Sequence, residues 1–581
     1  MIIIGINAYH ADASAAIFVD GKMIAAIEEE RFTRIKHWAG FPKQAIEFCL
    51  AEAGVQYEDV NYYAIGRDPK AKILKKMAYL ASDPLKVASV FKDRFANSRK
   101  VVSLEKELSQ ISGLPEEKFT GKVKNIEHHR SHIASAFFAS PFDKAACLSL
   151  DGSGDFSTTM VGTGNGNDIH IIASVDFPHS IGIFYTAFTQ LLGFPHYGDE
   201  YKVMGMAPYG EPRYVDQLYD VVKLKSNGLF SLNLAYFRKG TAGVISYGEN
   251  HIPIVAPMYS DVMLKKFGQP RQENEPLSQY HKDLAASVQK MTELVIFHIL
   301  NALHKETGMD NICIAGGVAQ NSVANGKITR NTGFKNIYIP PAGHDAGISM
   351  GAALYVQHHL LKMDRQPPIF SAFSGSHFSN EEIKQLLHAK GIAYTQRSDE
   401  DLFDIVTDCL LHGGVVGWMN GRAEFGPRAL GGRSILADPR RMDAKEIINS
   451  KIKRRESFRP FAPSILKEYV SEYFEVDEEV PFMEKVFPVK KEKQEQIPAV
   501  THVDGSGRLQ TVDKMTSPKY YGLIDAFRKK TGVPILLNTS FNENEPIVNT
   551  PAEALACYLR TNMDMLVMEN IVVSRDAKFL I

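Results

Sequence analysis

An α/β protein of two lobes is predicted by three features of the chain. Short apolar strands alternate with helical stretches, and a strand, glycine-turn, strand plan occurs twice in the first half. A Pro/Gly/Ser-rich stretch then precedes a second, arginine-rich half. A chain of 581 residues is too long for one growing core. The boundary falls near residue 370: a first domain over residues 1–365, a linker over 366–378 and a second domain over 379–581.

The elements follow in order. Ile2–Ile4 reads as a strand core, followed by strands over 13–18 and 23–27 joined through an Asp20-Gly21 turn. The plan returns with a strand over 145–150, a turn at Asp151-Gly152-Ser153-Gly154, and strands over 157–162 and 169–175. This repetition predicts a duplicated nucleotide-binding half-domain rather than a Rossmann unit. Helices are expected over 183–192, 292–304 and 347–358, with a strand over 311–315 ending at Gly316-Gly317. In the second half, helices are expected over 380–390 and 400–411 and strands over 414–419 and 534–537, while the charged run over 489–496 reads as a solvated loop.

Composition narrows the functional classes. With 66 basic and 67 acidic residues, the chain shows no broad electrostatic footprint for nucleic acid. The five cysteines are scattered with no CxxC pair, the pattern of reduced buried thiols in a cytoplasmic protein. No apolar run approaches the roughly 20 residues that span a bilayer, so no membrane association is expected.

In the first lobe, His128 and His132 of Glu127-His128-His129-Arg130-Ser131-His132 lie one turn apart if this segment is helical. Two imidazoles need further ligands to hold a divalent metal, and Asp151 and Asp345 are carboxylate candidates. The bland alternative is an ordinary helical pair. Gly152, Ser153 and Gly154, and later Gly316, Gly317 and Asn321, follow apolar strands where backbone N–H groups can approach phosphate. Lys202 can neutralise phosphate with Glu200 orienting its amine, or the two can form a surface ion pair.

The second lobe carries a Gly/Arg run, Gly421 to Ser434, whose Arg422, Arg428 and Arg433 offer planar donors for phosphate-like oxygens. Lys453 and Arg459 lie in a second basic run, Lys451 to Pro460, and Arg508 follows an Asp504-Gly505 turn. Asn538 and Ser540 end a strand and can recognise a carbonyl or amine, or simply cap and turn the chain.

The motifs DASAA, EEERFTRIKH, HHRSH, LDGSGD, KVMGMAPYG, GGVAQN, GRAEFGPRALGGRS, RESFRPFAPS, HVDGSGRLQTV and NTSFNENEPIV occur in this order across nearly the whole chain. Together they resemble the family of nodulation and antibiotic-tailoring O-carbamoyltransferases. The resemblance implies an N-terminal Kae1-like lobe of the actin/sugar-kinase/Hsp70 superfamily and a C-terminal YrdC-like α/β domain. It implies that carbamoyl phosphate yields carbamate in the second lobe. Carbamate and ATP then give carbamoyl adenylate and pyrophosphate in the first lobe, and the carbamoyl group passes to a hydroxyl of a small-molecule acceptor.

Carried over residue by residue, the resemblance implies iron ligation by His128, His132, Asp151 and Asp345, although the donor set also admits manganese or zinc. It places Gly316, Gly317 and Asn321 near the nucleotide and Ser153 and Gly154 near phosphate. Arg428, Lys453, Arg459, Arg508, Asn538 and Ser540 are placed around carbamoyl phosphate. His10 and Asp12 are the candidates, by location, for the group that deprotonates the acceptor. A homodimer is implied. Asn544 stands where relatives commonly have glycine, which puts the local turn in question. A tRNA threonylcarbamoyl-type transferase and a noncatalytic nucleotide-binding protein are the competing readings.

Overall fold

The computed structural model describes residues 1–81, 103–239, 245–248, 250–456 and 458–580, so Ser457 of the second basic run lies outside the described residues. The chain divides into two compact units. Unit 1 comprises Met1–Ala324 and Ile328–Ile369, and unit 2 comprises Asn325–Lys327 and Phe370–Ile581.

The first sheet of unit 1 contains β1 (Ile2–Asn7), β2 (Ser14–Val19), β3 (Lys22–Glu28), β4 (Tyr62–Ile65) and β5 (Val123–Asn125) in the order β3-β2-β1-β4-β5. β6 (Lys144–Gly154), β7 (Ser157–Asn165) and β8 (Asp168–Asp176) begin the second sheet. Two small hairpins follow, β9 (Val222–Leu224) with β10 (Phe230–Leu232) and β11 (Ile245–Tyr247) with β12 (Pro253–Val255). β13 (Asn311–Ala315) and β14 (Asn336–Tyr338) then complete the second sheet, ordered β14-β13-β6-β7-β8. In each sheet, three antiparallel strands lead into two parallel ones. The same topology twice in one unit is the duplication that the repeated strand plan predicts.

Asp20 and Gly21 turn the first hairpin with φ of 47° and 89°, the left-handed pair that an Asp-Gly turn supplies. The second hairpin departs from expectation. β6 runs on through Gly154 with an irregularity between Leu150 and Gly154, and Asp155 and Phe156 make the turn at φ of 48° and 74°. Glycine content points to a turn at 152–154, but the strand pairing carries past it and Phe156 packs near Phe177, with centroids 6.3 Å apart.

The helix expected over 292–304 is Gln279–Thr307. Its polar first turns hide the start, which is set by Ser278 and His281 capping each other. The helix Gly347–Leu354 continues as a π-helical segment, Tyr355–Leu360. Its small residues allow very close packing. A Cβ on Gly5 of β1 would lie 1.7 Å from the Ser349 carbonyl oxygen, and one on Gly351 would lie 1.9 Å from that of Ser131. These glycines bring the helix against both β1 and the helix His128–Phe137.

Unit 2 is built on one nine-stranded mixed sheet. Its strands are β15 (Thr395–Gln396), β16 (Val416–Met419), β17 (Arg433–Ala437), β18 (Ala462–Leu466), β19 (Lys485–Pro488), β20 (Ser506–Val512), β21 (Ile535–Ser540), β22 (Met565–Met568) and β23 (Ile571–Ser574). Their order is β15-β23-β22-β16-β17-β21-β18-β20-β19. Trp418, Ile435, Ile465, Leu536 and Leu566 form part of its core, over which the helices Asp399–Leu411 and Pro518–Thr531 pack against each other. The charged run expected as a loop contains the short helix Lys491–Gln494 and buries Val489 at its start. β21 extends to Ser540, so Asn538 and Ser540 are strand residues rather than members of a following turn.

Candidate functional site

Glu127 caps the helix His128–Phe137 by accepting from the Arg130 N–H at 2.8 Å, fixing where the His128/His132 face begins. Asp151 comes from β6, and Asp345 from the loop before Gly347–Leu354. The structure brings all four together, with one ligand atom from each lying within 4.8 Å of the others. His128 Nε2 is 3.0 Å from Asp151 Oδ2, and His132 Nε2 is 3.4 Å from Asp345 Oδ1.

Burial and mutual contact shift all four groups. Burial disfavours charge on His128, but its hydrogen bond to the Asp151 carboxylate and the charges of both carboxylates raise its pKa to about 9. Burial, then His128, lowers His132 to about 3. Burial and the neighbouring Asp151 push the Asp345 carboxyl up, while the histidines hold Asp151 down against its own burial. His132 Nε2 and Asp345 Oδ1 are buried without a hydrogen-bond partner. Each such orphan costs about 1–3 kcal/mol. Lone pairs from two imidazoles and two carboxylates converging on one point fit a divalent metal.

The glycine loops divide their work. Asp151 Oδ1 accepts from the Gly317 N–H at 3.0 Å, tying the second loop to the cluster. Gly316 takes φ +100°, and a Cβ there would lie 2.1 Å from the Leu150 carbonyl oxygen. A Cβ on Gly154 would lie 2.1 Å from the His128 ring, so this glycine makes room for a cluster histidine. Ser153 lies between it and Gly152 in β6. Asn321 is buried and doubly paired with Gln289, at 2.9 and 3.0 Å, while its Oδ1 also accepts from Ala324 N. Its amide holds the chain after Gly317–Gln320.

His10 packs against His128 with centroids 5.1 Å apart and the rings tilted by 43°, and burial keeps its pKa well below the usual imidazole value. Asp12 turns away from the cluster histidines toward His37, whose Nδ1 lies 2.8 Å from Asp12 Oδ1. Lys202 pairs with Asp199 at 2.8 Å rather than with Glu200, whose carboxylate accepts from Thr186 at 2.6 Å. The helix Glu200–Met206 explains the change, because Asp199 and Lys202 are three residues apart on one face.

In unit 2, burial and then Arg428, Arg455 and Arg459 press down the pKa of Arg508, whose Nε is buried without a hydrogen-bond partner. Arg428, Arg455 and Arg459 therefore lie close enough to Arg508 for their charges to act on it. Two other arginines of the Gly/Arg run are used structurally. Arg433 is fully buried and donates to the carbonyls of Gly421, Gly432 and Ser376, and Arg422 donates to that of Gly375.

Lys453 is also committed. Its buried ammonium donates to the Ser540 and Asn542 carbonyls at 2.5 and 2.7 Å, to Asn542 Oδ1 at 2.5 Å and to Ser540 Oγ at 3.3 Å. It shapes the segment at the end of β21. Asn538 donates to Ala429 O, Ser464 Oγ and Gln510 Oε1 at 3.0–3.1 Å, leaving its buried Oδ1 without a partner. Asn544 avoids a left-handed backbone and donates its N–H to Glu545 Oε2 at 3.0 Å, so the turn forms without glycine.

Residue-by-residue reading missed Glu424, Arg455 and His37 as contributors. Glu424 Oε1 accepts from the N–H groups of Leu430, Gly432 and Arg433, at 2.7, 2.7 and 3.2 Å, and shapes the Gly/Arg loop. A single acid inside an arginine-rich motif was the available signal. Arg455 lies in the second basic run with no feature that singles it out, and Lys36-His37 ends the EEERFTRIKH motif with no spacing that marks a role.

A duplicated α/β lobe with a buried His/Asp cluster, joined in one chain to a nine-stranded domain with clustered arginines, describes an anion-handling transferase. The family described as Carbamoyltransferase N-terminus matches residues 2–354, and Carbamoyltransferase C-terminus matches residues 407–575. The chain belongs to the carbamoyltransferase family. It is an enzyme, and its reaction is ATP- and carbamoyl-phosphate-dependent carbamoyl transfer.

An uncharacterized protein of Synechocystis sp. is 44% identical, with 99% of this chain and 97% of the relative covered. Nodulation protein NolNO of Sinorhizobium fredii is 36% identical over 98% of this chain and 80% of its own length. Nodulation protein NolO of Bradyrhizobium diazoefficiens is 40% identical over 78% and 79%. Among solved structures, HypF of T. kodakarensis covers 62% of this chain and 48% of its own at 14% identity and a TM-score of 0.30, too distant to carry a functional argument. No helix among the described residues is long and apolar enough to cross a membrane.

Proposed function

We propose that the chain is an O-carbamoyltransferase that divides its reaction between a Kae1-like unit 1 and a YrdC-like unit 2. The observation that carries this reading is the presence, on one chain, of a buried His/Asp cluster beside glycine loops and a separate cluster of four arginines.

In unit 2, Arg428, Arg459 and Arg508 bind the phosphoryl oxygens of carbamoyl phosphate, with Asn538 Oδ1 turned to its carbamoyl amine. Lys453 holds Ser540 and Asn542 in place for this contact. Water cleaves the mixed anhydride to carbamate and phosphate. In unit 1, a carbamate oxygen attacks the α-phosphorus of ATP, forming carbamoyl adenylate and releasing pyrophosphate. The backbone around Ser153, Gly154, Gly316 and Gly317 lines the nucleotide, and Asn321 positions the second of these loops. Fe²⁺ held by His128, His132, Asp151 and Asp345 would offset phosphate negative charge. A hydroxyl of a small-molecule acceptor then takes the carbamoyl group and AMP leaves.

Mass spectrometry after mixing purified protein with ATP, carbamoyl phosphate and ferrous iron tests the reading. Carbamoyl adenylate is expected from the wild type and is lost in separate Arg428→Ala and His128→Ala variants. A folded, metal-loaded protein that forms neither the adenylate nor pyrophosphate overturns it.

A further inference from the structure

One arrangement in unit 1 uses none of the four residues of the His/Asp cluster. The loop after β1 turns at Asp12, whose backbone is left-handed at φ 57°. Asn7 stabilises the turn by donating from Nδ2 to the carbonyls of Ala11 and Asp12 at 3.1 and 3.0 Å. Ala13 N–H donates to Trp38 O at 2.9 Å, which docks the segment containing His37 onto this loop. The His37 N–H donates to Glu30 Oε2 at 2.8 Å, fixing the base of the side chain. Two strand exits thus hold a buried carboxylate against Nδ1 of an imidazole, at 2.8 Å.

The other edge of the ring is kept open. His37 is 24% exposed at its side chain, and among the described residues Nε2 makes no hydrogen bond. A Cβ on Gly198, which takes φ +82°, would lie 2.6 Å from Nε2, so only glycine leaves that approach clear. Tyr197 supports the ring edge-on, with centroids 5.1 Å apart. The dyad also borders the His/Asp cluster, since His344, next to Asp345 in the chain, places Nε2 3.9 Å from Asp12 Oδ2.

We propose that His37 Nε2 is the proton acceptor for the acceptor hydroxyl, and that Asp12 is its positioning residue, holding Nδ1–H and stabilising the imidazolium. This rests on the carbamoyl-transfer reading and supplies its missing base. As the hydroxyl oxygen bonds to the carbonyl carbon of carbamoyl adenylate, its proton passes to Nε2. The bond from that carbon to the phosphate oxygen breaks, AMP leaves with the electron pair, and His37 later returns the proton to solvent. A carboxylate-oriented imidazole supplies this chemistry in many acyl transfers.

The groups facing His37 agree with the role. Burial opposes its charge, but Asp12 and Glu30 raise its pKa above 6.5 despite Lys36, with Tyr197, Glu200 and His344 as the remaining titratable neighbours. His37 in turn helps hold Asp12 near a pKa of about 2 against the effect of burial.

The test separates proton removal from positioning by using two nucleophiles. Wild-type enzyme that has formed carbamoyl adenylate is given molar glycerol, a hydroxyl that needs a base, or hydroxylamine, which does not. If glycerol is refused, the hydroxyl comparison is read on hydrolysis of the bound adenylate by water, which needs the same proton acceptor. His37→Gln is expected to retain adenylate formation and hydroxyurea production. Its glyceryl carbamate formation, or hydrolysis, falls by about 10²- to 10⁴-fold. Asp12→Asn falls less, and the acid limb of its transfer profile moves to lower pH, because an imidazole without its carboxylate is less basic.

Transfer by His37→Gln to the hydroxyl within threefold of wild type overturns the proposal. So does an equal loss with hydroxylamine, which marks a structural role. If wild type forms no carbamoyl adenylate at all, the carbamoyl-transfer reading fails and the dyad assignment falls with it.

Discussion

Arginines of one short region carry opposite assignments. Both Arg433 and Arg508 bury an Nε without a hydrogen-bond partner, but Arg433 places Nη1 and Nη2 on the carbonyls of Gly421, Gly432 and Ser376, whereas Arg508 feels the charge of three other arginines. Replacing Arg433 leaves buried carbonyls unsatisfied, so Arg433→Met is expected to lower stability by about 2–4 kcal/mol. Replacing Arg508 relieves like-charge crowding. Arg508→Met should retain or slightly raise the denaturation midpoint while weakening carbamoyl phosphate consumption at least tenfold. Urea unfolding and phosphate release, measured on both variants, check the contrast. Equal loss of stability in the two would show that Arg508 is structural.

At the scale of elements, the site depends on how closely two helices approach. The helix Gly347–Leu354 contacts both β1 and the helix His128–Phe137, and Asp345 lies just before it. A methyl at Gly351 would lie 1.9 Å from the Ser131 carbonyl oxygen, a backbone atom that yields only if the helix moves. Gly351→Ala raises helix propensity yet is expected to destabilise by about 1–3 kcal/mol through overpacking. The displacement also separates Asp345 from His132, so ferrous iron affinity should fall at least tenfold. Isothermal titration with iron, alongside thermal denaturation, reads both effects. A variant as stable as wild type with unchanged affinity would remove close helix packing as the device that assembles the cluster.

For the whole molecule, the proposed metal role of the buried cluster predicts a stability that follows metal supply. Orphaned His132 Nε2 and Asp345 Oδ1 destabilise the metal-free state, and a bound cation satisfies both. Linkage then adds about 2.7 kcal/mol of stability at a free metal concentration of 100 times Kd. Calorimetry of metal-loaded and chelator-treated protein should show the unit 1 transition moving upward with metal and the His128→Ala transition failing to respond. Because the ligands lie in unit 1, the unit 2 transition should remain fixed.

Much of this was legible in the chain. The Asp20-Gly21 turn, the repeated strand plan, the HxxxH spacing and the glycines after apolar strands all act locally, through backbone freedom and periodicity, and such signals survive in a one-dimensional string. The ordered motifs placed both halves in their family for the same reason. What one dimension does not carry is the choice of partner. Whether an arginine meets a carbonyl or another arginine, whether Lys202 meets Glu200 or Asp199, and whether Asp12 faces the His/Asp cluster or His37 depend on side chains brought together by the fold. The residue types and their spacing determined the inventory of groups and the chemistry open to them. The tertiary structure decided their roles, because hydrogen bonding and desolvation act through distances that only the packed fold sets.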